Sequence, residues 1–125
     1  MSRLLRCLGP RCEILSPVKI NPYASRSWLL VNPSREDDLH SVVASTACDQ
    51  VILDLEDAVT PENKDSAREI ICSWLADVDF GRHERMIRIN PIDTPWFRAD
   101  MEATMVNPPD SYLVPKVSGA GDVRL

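Results

Sequence analysis

After Arg26 the chain alternates between two hydrophobic rhythms: short, nearly continuous apolar runs and longer stretches with helical spacing. Residues 27–31 (SWLLV) form such a run, the pattern of a strand buried on both faces. Residues 36–47 then place Leu39, Val42 and Val43 at helical spacing, and residues 51–55 (VILDL) read as a second buried strand. Thr60 followed by Pro61 is a helix-opening signal: a good N-cap, then a proline where its missing N–H costs nothing. Beyond it Ala67, Ile70, Ile71, Trp74, Leu75 and Val78 recur three and one apart, the strongest amphipathic pattern in the chain. Gly81 marks its end. Residues 86–90 (MIRIN) predict a third strand, Thr94-Pro95 repeats the opening signal for a helix to about Val106, and residues 112–117 (YLVPKV) predict a fourth.

The order is β-α-β-α-β-α-β, which means a parallel α/β sheet with right-handed crossovers. Two architectures accommodate it. One is a small doubly wound domain of about 100–150 residues. The other is the leading part, about four β/α units, of a (β/α)8 TIM barrel, which usually needs about 250 residues. Residues 1–25 contain Pro10, Pro17 and Pro22 and hold no period, so they read as an N-terminal arm or leader preceding a domain over residues 26–125.

Charge narrows the choice of function. Residues 1–26 carry five basic side chains against Glu13 alone, whereas the rest holds nine basic and eighteen acidic residues, a net of −9. An acidic body excludes phosphate-backbone binding, which requires clustered Lys and Arg, so no nucleic-acid partner is expected. No apolar run approaches the roughly 20 residues of a membrane span. The four cysteines show no CxxC pair or metal-site spacing, consistent with a reduced, cytoplasmic protein. The Arg-rich head MSRLLRCLGPRC leaves the mitochondrial matrix as an alternative.

In both architectures ligands gather at the carboxyl ends of the strands. Four polar features fall there. Asn32-Pro33-Ser34-Arg35 follows strand one, either as a turn or with Arg35 contacting a substrate anion. Asp54-Leu55-Glu56-Asp57 sets three carboxylates within four residues at the end of strand two; alternation sends Asp54 and Glu56 to one side, where they favour a cation, its bound waters or a proton. Arg88, inside strand three, must meet an anion, whether Asp54 or Glu56 internally or a substrate carboxylate held in a bidentate fork. Lys116, after strand four, suits a Schiff base, an anion contact or a pairing with the acidic cluster. His40 and His83 read as surface histidines. No GxSxG, GxxxxGK[ST] or GxGxxG motif occurs.

These features resemble a family. Arg26-Ser27-x-Leu29-x-Val31, the run Val51-Ile52-Leu53-Asp54-Leu55-Glu56-Asp57-Ala58-Val59, then Arg88-Ile89-Asn90, Asp93-Thr94-Pro95-Trp96 and Val114-Pro115-Lys116-Val117 are similar to citrate lyase β-subunit-like, HpcH/HpaI-type aldolases over about residues 26–125. The resemblance implies a (β/α)8 barrel, usually a trimer or hexamer. It implies a lyase that makes or breaks carbon–carbon bonds in 2-oxo acids or β-hydroxyacyl-CoA thioesters, with Mg2+ stabilising the developing charge. By that likeness Arg88 holds the substrate carboxylate, Asp54, Glu56 and Asp57 support the metal's water shell, and Lys116 lines the same mouth. Two local sequences depart from the family: Val31-Asn32-Pro33 replaces its usual Val-Pro-Gly, and Lys116-Val117-Ser118-Gly119 its usual Lys-Val-Glu-Ser. The family's direct Mg2+ ligands, a glutamate and an aspartate on later strands, are expected beyond Leu125. The expectation is therefore a truncated barrel, with a non-catalytic fragment or, from another class, a complete flavodoxin-like signalling domain as the competing readings.

Overall fold

The computed structural model describes residues 24–35 and 38–123, so the expected arm falls almost wholly outside the described residues. Four strands alternate with three helices: β1 (Trp28–Val31), α1 (Leu39–Ser45), β2 (Gln50–Asp54), α2 (Lys64–Asp77), β3 (Glu84–Arg88), α3 (Phe97–Thr104) and β4 (Ser111–Leu113). All pair in parallel, in the order β1-β2-β3-β4.

That order decides the architecture. Each right-handed crossover steps to the next strand in the same direction, so α1, α2 and α3 fall on one face of the sheet. The core agrees. Val31, Val51, Leu53 and Ile87 pack with Leu39 and Val43 of α1 and with Ala67, Ile71 and Leu75 of α2, while Phe97 and Met101 of α3 join them partly buried. A doubly wound sheet reverses direction at a switch point and carries helices on both faces. The flavodoxin-like alternative is thereby excluded; four consecutive units wound one way are a portion of a barrel.

Period-two alternation sends the remaining strand residues to the opposite face, the lumen side of a barrel. Those residues are Trp28 and Leu30, Gln50, Ile52 and Asp54, Glu84, Met86 and Arg88, and Ser111 and Leu113. Asp54 and Arg88 are register partners on adjacent strands, so the backbone alone brings them side by side.

Several of the expected boundaries shift. Thr60 makes no side-chain cap; the chain enters α2 through a single 3-10 turn, Pro61–Asn63. Strand three starts two residues earlier than expected, because a turn closed by His83 N donating to Phe80 O lets Glu84 N bond Asp49 O. Its expected end, Asn90, instead donates its backbone N–H to Asp100. Thr94 does not cap α3: its N–H and hydroxyl both donate to Pro91 O, closing a turn, and the helix opens at Phe97. Strand four stops at Leu113, two residues before Pro115, which has no N–H to continue the ladder.

Candidate functional site at the carboxyl ends of the strands

Asp54 ends β2 on the lumen face and is completely buried, so it needs donors. It has four. Arg88 Nε (2.7 Å) and Nη2 (2.6 Å) grip its two oxygens as a fork, and the amides of Glu56 (2.9 Å) and Ala58 (3.1 Å) fold back onto it. Burial alone would raise the Asp54 pKa; the Arg88 fork and the two amides outweigh it and hold the carboxyl below its ordinary value. The same contact, led by the Asp54 hydrogen bonds, raises the pKa of Arg88.

Glu56, also buried, approaches Arg88 Nη1 at 3.2 Å and Lys116 Nζ at 2.8 Å. Lys116 reaches Asp57 as well, at 3.2 Å, and its hydrogen bonds to Glu56 and then Asp57 raise its pKa. Lys116 holds φ +54°, a left-handed conformation costly for a residue with a Cβ. Three carboxylates and two cations thus form one cluster, drawn from the ends of β2 and β3 and the loop after β4. A cleft of about 340 Å³ opens beside it, between Pro91–Thr94 and Val114–Ser118, with Lys116 on its wall.

Arg35 is not brought to this cluster. It lies exposed in the turn after β1, where its backbone N–H donates to Asn32 O at 3.1 Å. Of the histidines, His40 is exposed as expected, whereas His83 is half-buried with Nδ1 2.7 Å from Cys48 O.

Behind the cluster stands a second polar network that the spacing argument did not single out. Buried Lys64, in the first turn of α2, donates to the carbonyls of Leu55 (2.6 Å) and Glu56 (2.7 Å) and to Asn90 Oδ1 (2.7 Å), which uses all three ammonium protons. Its Nζ also sits 5.2 Å from the Trp96 ring centre. Burial lowers its pKa, against the pull of Asp100, Asp54, Glu56 and Asp57. Asn90 Nδ2 donates to Leu55 O and to Asp100; Asp100, fully buried, also accepts from Asn90 N and from Arg68 Nε and Nη2. Lys64 therefore clamps the turn that carries Glu56 and Asp57, and Asp100 anchors the clamp to α3. A signal was present: Lys64, Arg68, Ile71 and Leu75 share one helical stripe, as do Phe97, Asp100, Met101 and Thr104.

A direct Mg2+ site does not fit these contacts. Asp54, Glu56 and Asp57 already face Arg88 or Lys116, and among the described residues no group of three or more His, Cys, Asp or Glu side chains is arranged to hold a metal ion.

The comparisons with known proteins agree with this geometry. The profile of the HpcH/HpaI aldolase/citrate lyase family matches residues 26–125. A (3S)-malyl-CoA thioesterase of Cereibacter sphaeroides is 42% identical over 99 residues, covering 79% of this chain and 34% of that protein. Citrate lyase subunit beta of Leuconostoc mesenteroides subsp. cremoris is 42% identical over 72 residues, covering 58% and 24%. Among solved structures, CitE of Mycobacterium tuberculosis in complex with magnesium and pyruvate superposes with a TM-score of 0.68 at 30% identity, covering 83% of this chain and 41% of that one. The chain spans about a third of the length of the first of these relatives. With a parallel sheet wound in one direction, an acidic turn and arginine at its carboxyl end, and a family profile matching from Arg26 onward, the chain belongs to the HpcH/HpaI aldolase/citrate lyase family.

Proposed function

We propose that this chain forms the carboxylate-gripping part of a barrel that cleaves or forms a carbon–carbon bond in a β-hydroxyacyl-CoA or a related 2-oxo-acid adduct. The observation that carries the reading is the Asp54–Arg88–Glu56 arrangement. Asp54 takes the Nε–Nη2 edge of the guanidinium and fixes its plane, while only the looser Glu56 contact occupies the Nη1 side. A substrate carboxylate arriving from the lumen takes over that side, and Glu56, released from Arg88, keeps its pairing with Lys116. A fixed guanidinium costs little reorganisation when charge arrives, which is what orienting an oxo acid requires. Lys116 stands over the adjoining cleft as a second anion contact.

The relatives supply the substrate class. One solved CitE holds magnesium, acetoacetate and coenzyme A, and other relatives are named for malyl-CoA and β-methylmalyl-CoA. The proposed cofactor is Mg2+, with its direct ligands outside the described residues, and the proposed assembly is a homo-oligomer.

A second reading has its own support in the malyl-CoA thioesterase relative. The two are separated by products. The native protein, incubated with malyl-CoA and Mg2+, releases acetyl-CoA and glyoxylate if it is a lyase; chelation of the metal abolishes the release. Free CoA with malate establishes hydrolysis instead. Turnover of neither kind contradicts both readings.

A further inference from the structure

Of the buried or half-buried carboxylates up to the end of β4, five each meet a cation: Asp49 meets Arg26, Asp54 and Glu56 meet Arg88, Asp100 meets Arg68, and Asp110 meets Arg85; beyond β4, Asp122 accepts from Ser118 and Gly119 instead. Glu84 is the exception. It opens β3 on the lumen face, half-buried, and its oxygens accept from two neutral groups, Gln50 Nε2 (2.6 Å) and Ser111 Oγ (2.9 Å). Among the described residues no Lys or Arg pairs with it. Beside it Gln50 is 4% exposed, and its Oε1 is buried and accepts no hydrogen bond, while Nε2 is committed to Glu84. One polar layer at the amino-terminal end of the lumen therefore lacks both a positive charge and a donor. Trp28, the register partner of Gln50, and Leu30 beyond it leave the same face 60% and 49% exposed.

We infer that this face is an interaction surface for a non-identical set of parallel strands that carries an inward-facing arginine or lysine at the Glu84 layer. The inference rests on the barrel reading, since closing the lumen is what takes Glu84 out of water and makes a lone carboxylate there too costly. A second copy of this chain is the wrong occupant. Below the Asp54–Arg88 pair its lumen residues are Trp28, Leu30, Gln50, Ile52, Glu84, Met86 and Ser111, so it would add another carboxylate at this height and no cation. A guanidinium has donors enough to bond Glu84 and Gln50 Oε1 together. Strands of this kind fit the roughly two-thirds of the relatives' length that lies outside the match.

The test is the sign of a melting shift in the native protein. Glu84→Gln keeps the shape and the hydrogen bonds but deletes the charge. With a cation in the layer, Tm falls by roughly 5–10 °C. With none, removing an uncompensated carboxylate leaves Tm unchanged or raises it, which overturns the inference. The double variant Glu84→Gln/Gln50→Glu moves the carboxylate one strand over and is expected to recover more than half of the loss; recovery of nothing also counts against a shared cation. A loss that vanishes on deleting residues 1–23 would give the cation to the basic arm and overturn the barrel-closing strands as its source. Because malyl-CoA turnover is read separately, an unchanged Tm in an active lyase sinks this inference and leaves the functional reading standing.

Discussion

Arg88 and Asp54 interlock because each solves the other's burial problem. Asp54, shut off from solvent, would be expelled or neutralised without the fork, and Arg88 would be left with only the looser Glu56 contact without Asp54. The folded pKa of Asp54 lies below its unfolded value near 4, so its stabilising contribution is complete above that value and is lost as pH falls through the folded pKa. Denaturation measured from pH 7 down to about 2 is expected to show an acid limb below about pH 4 that Asp54→Asn flattens. The same variant is expected to cost about 3–5 kcal/mol at neutral pH, read as a lower denaturant midpoint. Lys116 is the opposite case. It is exposed, so Lys116→Met is expected to leave the denaturant midpoint nearly unchanged while weakening anion binding in the cleft. The pairing of Arg88 with Asp54 and Glu56, and of Lys116 with the acidic turn, was legible because a charge inside an apolar run demands a partner. Lys64 and Asp100 were not, because a lysine or aspartate in a polar helical stretch reads first as a solvated face; only the three-dimensional stripe shows them turned inward.

The elements tie the cluster to the scaffold. Three of them meet through Lys64, Asn90 and Asp100: α2, the segment after β3, and α3. Asp100→Ala leaves the buried Arg68 guanidinium with only the exposed Asp65 as a partner and takes the acceptor from two Asn90 donors at once. It is expected to destabilise the protein by about 3–5 kcal/mol, against a fraction of that for the exposed Arg98–Glu102 pair on the same helix. A comparison of urea midpoints for Asp100→Ala and Glu102→Ala checks the contrast. Element types and order followed from the hydrophobic rhythm, since buried parallel strands and amphipathic helices have unlike periods. The boundaries did not. Thr94-Pro95 has the composition of a cap, but its hydroxyl is spent on Pro91 O, and Asn90 continues a strand-like run while its N–H is taken by Asp100. Side-chain competition of this sort for backbone partners leaves no trace in a local pattern.

At the scale of the whole molecule, sequential strand order is what converts these contacts into a site. It places every described helix on one face and aims Asp54, Arg88 and, through the following turn, Glu56 toward the other. Periodicity permitted both a wound-back sheet and a barrel portion; the family motifs and the strand order chose the barrel. Everything in the proposed function turns on Arg88, held by Asp54, gripping a substrate carboxylate. Calorimetric titration of the native protein with oxaloacetate in the presence of Mg2+ tests it most directly, alongside Arg88→Lys, which keeps the charge but loses the fork. Saturable binding that weakens about 100-fold or more in the variant, roughly 3 kcal/mol, is the predicted result. Oxaloacetate affinity unchanged in a folded Arg88→Lys protein, or no binding by the native protein, would contradict the account.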